Sequence, residues 1–152
     1  MKDYDSFAAA TGIHVEKPLF SQTPNGPVVN VSWLDAKYFC TWLTEKERLS
    51  GKIGCEHVYR LPTDAESSVA VGLPVQTGTT PKQKDGKISN VYPWGTQWPP
   101  PQGGGNYDPS LGVDSSSPVG SFAANRYGLF TMGGNVWLWC ENLYDGSEPF
   151  RG

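Results

Sequence analysis

Apolar positions recur with helical spacing in two places along the chain, capping residues mark a third helix, and two short runs read as extended. Over residues 3–10, Tyr4, Phe7 and Ala8 fall at i, i+3 and i+4, and Gly12 supplies a stop, which predicts a short helix. Ser32 is a good N-cap with Asp35 three residues on. Behind it Trp33, Ala36, Cys40 and Leu43 share one face, with Lys37, Thr41, Glu45 and Lys46 largely away from it. This helix should run to about Arg48 and end before Gly51. A third helix is expected to start at Thr63, with Glu66 closing a capping box, and to finish near Gly72. Between the helices, residues 28–31 (V-V-N-V) read as a short extended piece and residues 58–61 (V-Y-R-L) as a short strand.

Outside these elements the periodicity disappears. Residues 73–90 hold Pro74, Gly78, Pro81 and Gly86 among lysines and aspartates, the composition of an exposed loop. Tyr92, Trp94 and Trp98 then precede three prolines and three glycines, so an irregular segment is expected to be pinned by its rings. Residues 128–140 (G-L-F-T-M-G-G-N-V-W-L-W-C) combine turn residues with large apolar flanks. Such a turn should lie inside the protein, with its backbone groups met by the chain itself or by a bound cation. A core turn and an ion-binding turn are both compatible with that pattern.

Composition narrows the class. A chain of 152 residues is the size of one domain, and 38% hydrophobic residues with 18 Gly, 13 Pro and 6 Trp describe a loop-rich globule held by aromatics. The net charge of −3 is well mixed, which argues against nucleic acid or an anionic membrane as partner. No run is long and apolar enough for a membrane span, and the N-terminus does not lead into a signal-peptide core, so a soluble chain is expected. Cys40, Cys55 and Cys140 lack C-x-x-C spacing; Cys40 and Cys140, set among tryptophans, read as ordinary buried thiols. His14 and His57 have no partner at ligand spacing. Arg60 either pairs with a carboxylate or snorkels at the surface. Nucleophile elbows, phosphate-cradling loops and framed acid pairs for glycoside chemistry are missing from the sequence.

Four blocks in fixed order carry a family resemblance: P-V-V-N-V-S-W at 27–33, Y-R-L-P-T-D-A-E at 59–66, Y-P-W-G at 92–95, and P-V-G-S-F with N-R-Y-G-L-F-T-M-G-G-N-V-W-L-W-C within 118–140. Together they resemble the formylglycine-generating enzyme, or sulfatase-modifying factor, family. The resemblance implies an irregular, loop-rich α+β domain related to the C-type lectin fold, here a single partial domain over 1–152, truncated at both ends. It also implies that full-length relatives oxidise a cysteine of a sulfatase protein or peptide to formylglycine, using oxygen and a copper ion held by two cysteines. That pair follows an R-G-G-S-W block of which this chain has Arg151 and Gly152, so no catalytic residue is carried over and the fragment is expected to be inactive alone.

Calcium is implied at two partial sites. Asn106 and Tyr107 match ligands of the first, with Asp114 the nearest acid; Gly134 and Val136 would give carbonyls to the second. There the family's acidic or amide ligand falls on Thr131 and its glutamate on Leu138, an exchange that removes the strongest ligand and argues against a filled site. Ser67 stands where the family usually has tryptophan. Two other readings remain: a non-catalytic lectin-like binding module, since fold does not fix function, and the related domain of sulfoxide synthases, whose iron ligands come from a separate helical domain.

Overall fold

The computed structural model describes residues 1–20, 22–107 and 116–145. Four helices appear among them: α1 (Lys2–Thr11), α2 (Trp33–Leu49), α3 (Asp64–Val71) and α4 (Pro81–Lys84). The expected stops and starts are where capping chemistry put them. Gly12 ends α1 in the left-handed conformation, φ 73°, which a residue without Cβ adopts at no steric cost. Ser32 accepts from the Asp35 N–H while Asp35 reaches back to the Ser32 N–H, and Thr63 and Glu66 make the same reciprocal box at the head of α3.

Tyr4 and Phe7 of α1 are the buried apolar side chains among the described residues, 7% and 1% exposed. They pack on α2 through an aromatic cluster in which Phe7 lies 5.7 Å from Phe39 and 5.6 Å from Trp42, ring centre to ring centre, the first pair edge-on. A second cluster pins the irregular segment: Tyr92 stacks on Trp94 at 5.1 Å, and Trp94 meets Tyr107 edge-on at 4.7 Å. Aromatic pinning of the proline- and glycine-rich stretch is therefore as expected from its composition.

The expected strand at 58–61 does not form, and the extended piece at 28–31 is interrupted. Among the described residues the β-pairing is one isolated bridge, Tyr92 to Gly95. At 28–31 the run is broken by Asn30, whose φ of 58° cannot continue an extended chain. At 58–61 the backbone has no neighbouring strand and turns to a side chain: the Tyr59 N–H donates to Thr44 Oγ1 at 2.8 Å. Thr44, buried on α2, also donates to the Cys40 carbonyl at 2.8 Å, so one hydroxyl holds a helix to a coil.

Residues 73–90 also differ from a plain loop. Thr80 caps α4 and Pro81 occupies its first turn. Lys84 pairs with Asp64 at 2.8 Å, the two side chains 13% and 25% exposed, so α4 is clipped to the head of α3. No helix among the described residues is long and apolar enough to cross a membrane.

Candidate functional site

Two segments that the sequence suggested as separate ion sites meet in the fold. The Asn135 N–H donates to the Asn106 carbonyl at 2.8 Å, bringing 106–107 against 133–136. The Asn135 side chain then clamps Ser117, accepting from its N–H at 2.7 Å and donating to its carbonyl at 3.1 Å. Asn106 Nδ2 reaches Ser117 Oγ at 3.4 Å. Asn135 can face both ways because its backbone is left-handed, φ 66°, a conformation its short amide tolerates. Gly134, φ 70°, has no such freedom to become larger: a Cβ there would stand 2.6 Å from the Tyr107 ring and 2.8 Å from the Asn106 carbonyl oxygen.

Tyr107 is thus wedged between Trp94 and the glycine turn. Its hydroxyl oxygen is buried without a hydrogen-bond partner, as is Thr131 Oγ1. Burial pushes the Tyr107 phenol up to about 12, which keeps it a neutral donor. Thr131 is left-handed as well, φ 54°, an unusual state for a β-branched residue.

The apolar flanks of this turn correct the expectation of a wholly internal stretch. Residues 131–136 are half-buried, but Phe130 and Leu138 are exposed and Trp137 is fully so. Trp139 is held by its indole N–H, which donates to the Val31 carbonyl at 2.9 Å, whereas Trp137 stands fully exposed.

For a dication the described donors fit poorly. The Asn106 carbonyl accepts the Asn135 N–H and the Gly134 carbonyl accepts the Val136 N–H at 2.9 Å, and every donor in the pair of segments is neutral. No cluster of three or more His, Cys, Asp or Glu side chains is present among the described residues. Calcium sites draw their charge from carboxylates. Asp114, the acid suggested for the first site, lies outside the described residues.

A second seam joins residues 139–142 to α2 and α3. Trp33 Nε1 donates to the Cys140 carbonyl at 2.8 Å, Lys37 pairs with Glu141 at 2.6 Å while lying over the Trp33 ring, and the Glu141 N–H donates to the Pro62 carbonyl. Lys37 therefore leans across Trp33 to this seam, with its side chain still 39% exposed. Ser67 Oγ lies 3.3 Å from Cys140 Sγ, so the small residue gives the thiol a polar neighbour. The Cys40 thiol is pushed up by burial and by Glu141, against a smaller opposing pull from Lys37. Cys55 is exposed, and so are His14 and His57. Arg60 resolves as a surface pair, bidentate to Glu66 at 2.7 Å on both nitrogens.

Three groups escaped the sequence reading: the Thr44 hydroxyl, the two-sided Asn135 clamp and the Asn125 turn. Asn125 Oδ1 accepts from the N–H groups of Tyr127 and Leu129 while its Nδ2 donates to the Ala70 carbonyl at 2.6 Å. An asparagine two residues before an aromatic-glycine step is a turn signal that could have found the last.

Comparison with known proteins agrees with this architecture. Residues 3–149 match the family model for the sulfatase-modifying factor enzyme 1-like domain. The formylglycine-generating enzyme of Thermomonospora curvata is 34% identical over 134 residues, covering 80% of this chain and 35% of that protein. The inactive C-alpha-formylglycine-generating enzyme 2 of Bos taurus is 33% identical over 133 residues, with the same two coverages of 80% and 35%. The solved structure of PvdO from Pseudomonas aeruginosa superposes with a TM-score of 0.57 at 25% identity, over 95% of this chain and 56% of that one. The chain spans about a third of the length of these two curated relatives. With its four blocks, its capped helices and its aromatic-pinned coil accounted for by one domain type, the chain belongs to the sulfatase-modifying factor, or formylglycine-generating enzyme, family.

Proposed function

We infer that these 152 residues form the framework of a formylglycine-generating-enzyme-type domain, related to the C-type lectin architecture, that does not itself oxidise a sulfatase cysteine. The carrying observation is the state of the three thiols. Copper chemistry of this family calls for a pair of thiolates, and thiolates form where a nearby positive charge or a helix N-terminus lowers the pKa. Cys40 is half-buried with its pKa raised, Cys140 rests against the Ser67 hydroxyl, and Cys55 is exposed on a turn beside Glu56. These residues do not fit a two-cysteine copper site, and no step is routed through them.

A non-catalytic reading has one specific support: a relative whose name marks it as inactive is as similar as the active enzymes, 33% against 34% identity. In a whole protein that supplies the cysteine pair, the partner would be a sulfatase cysteine peptide. The test is direct. The 152-residue chain is mixed with copper(I), oxygen and a sulfatase-derived cysteine peptide, beside the Thermomonospora curvata enzyme as positive control, and the peptide is followed by mass spectrometry. The thiol should persist with this chain and be lost with the control; an aldehyde product from this chain would sink the assignment.

A further inference from the structure

We propose that the run from Tyr127 to Leu138 is a docking surface for a complementary portion of the same domain type, supplied on the same polypeptide or on a second one. The proposal rests on the family membership and not on whether any assembled domain oxidises a cysteine. Tyr127, Phe130, Trp137 and Leu138 are 49%, 53%, 101% and 58% exposed. At about 150–250 Å² for a whole aromatic side chain, the four present roughly 500 Å² of apolar surface. One side of a standard interface covers about 800 Å², of which somewhat more than half is non-polar, so this run supplies the apolar share of one such side.

Further observations choose the occupant. Tyr4 and Phe7 are the buried apolar side chains among the described residues, whereas a domain of about 150 residues ordinarily buries about 70% of its surface. The relatives contain a source of cover. The superposition takes in 95% of this chain but 56% of the PvdO chain, so the rest of that chain has no counterpart here, and the Thermomonospora curvata enzyme is matched over 35% of its length. Consecutive pieces of a chain are usually neighbours in space, so the portion that follows the aligned stretch is the one placed to reach Trp137. Charge and shape disfavour a second copy. No charged residue stands between Arg126 and Glu141, while a copy would bring a net charge of −3 to meet −3 and one exposed Trp137 to meet another. A fully exposed indole calls for a recess, and tryptophan is among the residues that anchor interfaces in this way. The run is also held at one end beforehand: Trp139 donates to the Val31 carbonyl and Trp33 to the Cys140 carbonyl, so the backbone beside Trp137 needs little ordering on docking.

The experiment supplies the 152-residue chain with the portion of the Thermomonospora curvata enzyme that follows the aligned region, first as a separate polypeptide followed by sedimentation velocity, then fused to the end of the chain. A 1:1 complex is expected in the mixture. In the fusion Trp137 should lose access to acrylamide, read as the difference in quenching between the parent and Trp137→Phe, and shielding in either format supports the proposal. Trp137→Ser should weaken the complex by at least roughly 30-fold, the loss of an interface anchor. In the chain alone the same change should leave the urea midpoint in place, because the ring there meets solvent. Association and quenching are read with no copper or cysteine peptide present, so a failure here is distinct from a failure of the oxidation test above. The proposal is overturned if the chain alone forms a dimer that Trp137→Ser dissolves, if the variant binds as tightly as the parent, or if neither mixture nor fusion shields Trp137.

Discussion

Replacing Gly134 by alanine separates two costs that usually arrive together. The left-handed backbone at φ 70° costs an L-residue about 1–2 kcal/mol. The added Cβ would also stand 2.6 Å from the Tyr107 ring and 2.8 Å from the Asn106 carbonyl oxygen, and the second contact is to backbone that is itself hydrogen-bonded to Asn135. Crowding of this kind costs about 1–3 kcal/mol, so Gly134→Ala should lose about 2–5 kcal/mol in all. Gly128 supplies the control. Its φ is 75°, and a Cβ there meets nothing within 4 Å, so Gly128→Ala carries the conformational cost alone. The entropy that alanine removes from the unfolded chain is common to both variants and cancels in their difference. With a urea slope of about 2 kcal/mol/M, Gly134→Ala should unfold at a midpoint roughly 1 M below that of Gly128→Ala, with equal slopes. Equal midpoints would mean that the 106–107 and 133–136 segments do not meet as described, and the account of the site would fall with them.

Thr44→Val keeps the shape of a buried residue but strands the Tyr59 N–H; it should cost about 1–3 kcal/mol and lower Tm by roughly 2–4 °C per kcal/mol, whereas Thr44→Ser, which retains the acceptor, should lose less. Glu66 is held down to about 2 from 4.5, first by Arg60 and then by the Thr63 N–H and hydroxyl. Because the folded value is the lower one, the stabilisation is present above about 4.5 and is lost as pH falls toward 2; carboxyl NMR should show the low titration, and Glu66→Gln should flatten the acid limb of the stability curve. Calcium titration followed by tryptophan fluorescence should give no saturable change in the micromolar range, since the described donors at 106–107 and 134–136 are uncharged; a clear saturable shift would overturn that expectation.

Local chemistry was legible in the chain, and the reasons are local. Ser32 with Asp35, Thr63 with Glu66, and Gly12 and Gly72 as stops act within four residues, so the helix ends could be placed before any tertiary contact was known. The strand at 58–61 failed because a short run of β-prone residues signals only a willingness to extend. Whether a ladder forms depends on a neighbour, and for Tyr59 the neighbour is a threonine side chain. The turn at 131–136 was recognisable from its residue types, but the fate of its flanking rings was not: Trp139 is tied to Val31, far away in sequence, while Trp137 is left exposed. For the same reason the two suspected ion segments could be named by resemblance, while their meeting through Asn135 could not.

The seam at residues 139–142 sets an order on biosynthesis. Its ties to Val31, Trp33 and Lys37 span 108, 107 and 104 positions, whereas the Tyr4, Phe7, Phe39 and Trp42 rings lie within the first 42. At about 5–20 residues per second, a ribosome would display α2 with its Trp33 edge uncovered for roughly 5–20 s before Trp139 and Cys140 emerge. The aromatic cluster of α1 and α2 can settle during that wait, but the Trp33 edge of α2 cannot be covered. A nascent chain stalled before residue 139 should therefore be the form most in need of a chaperone.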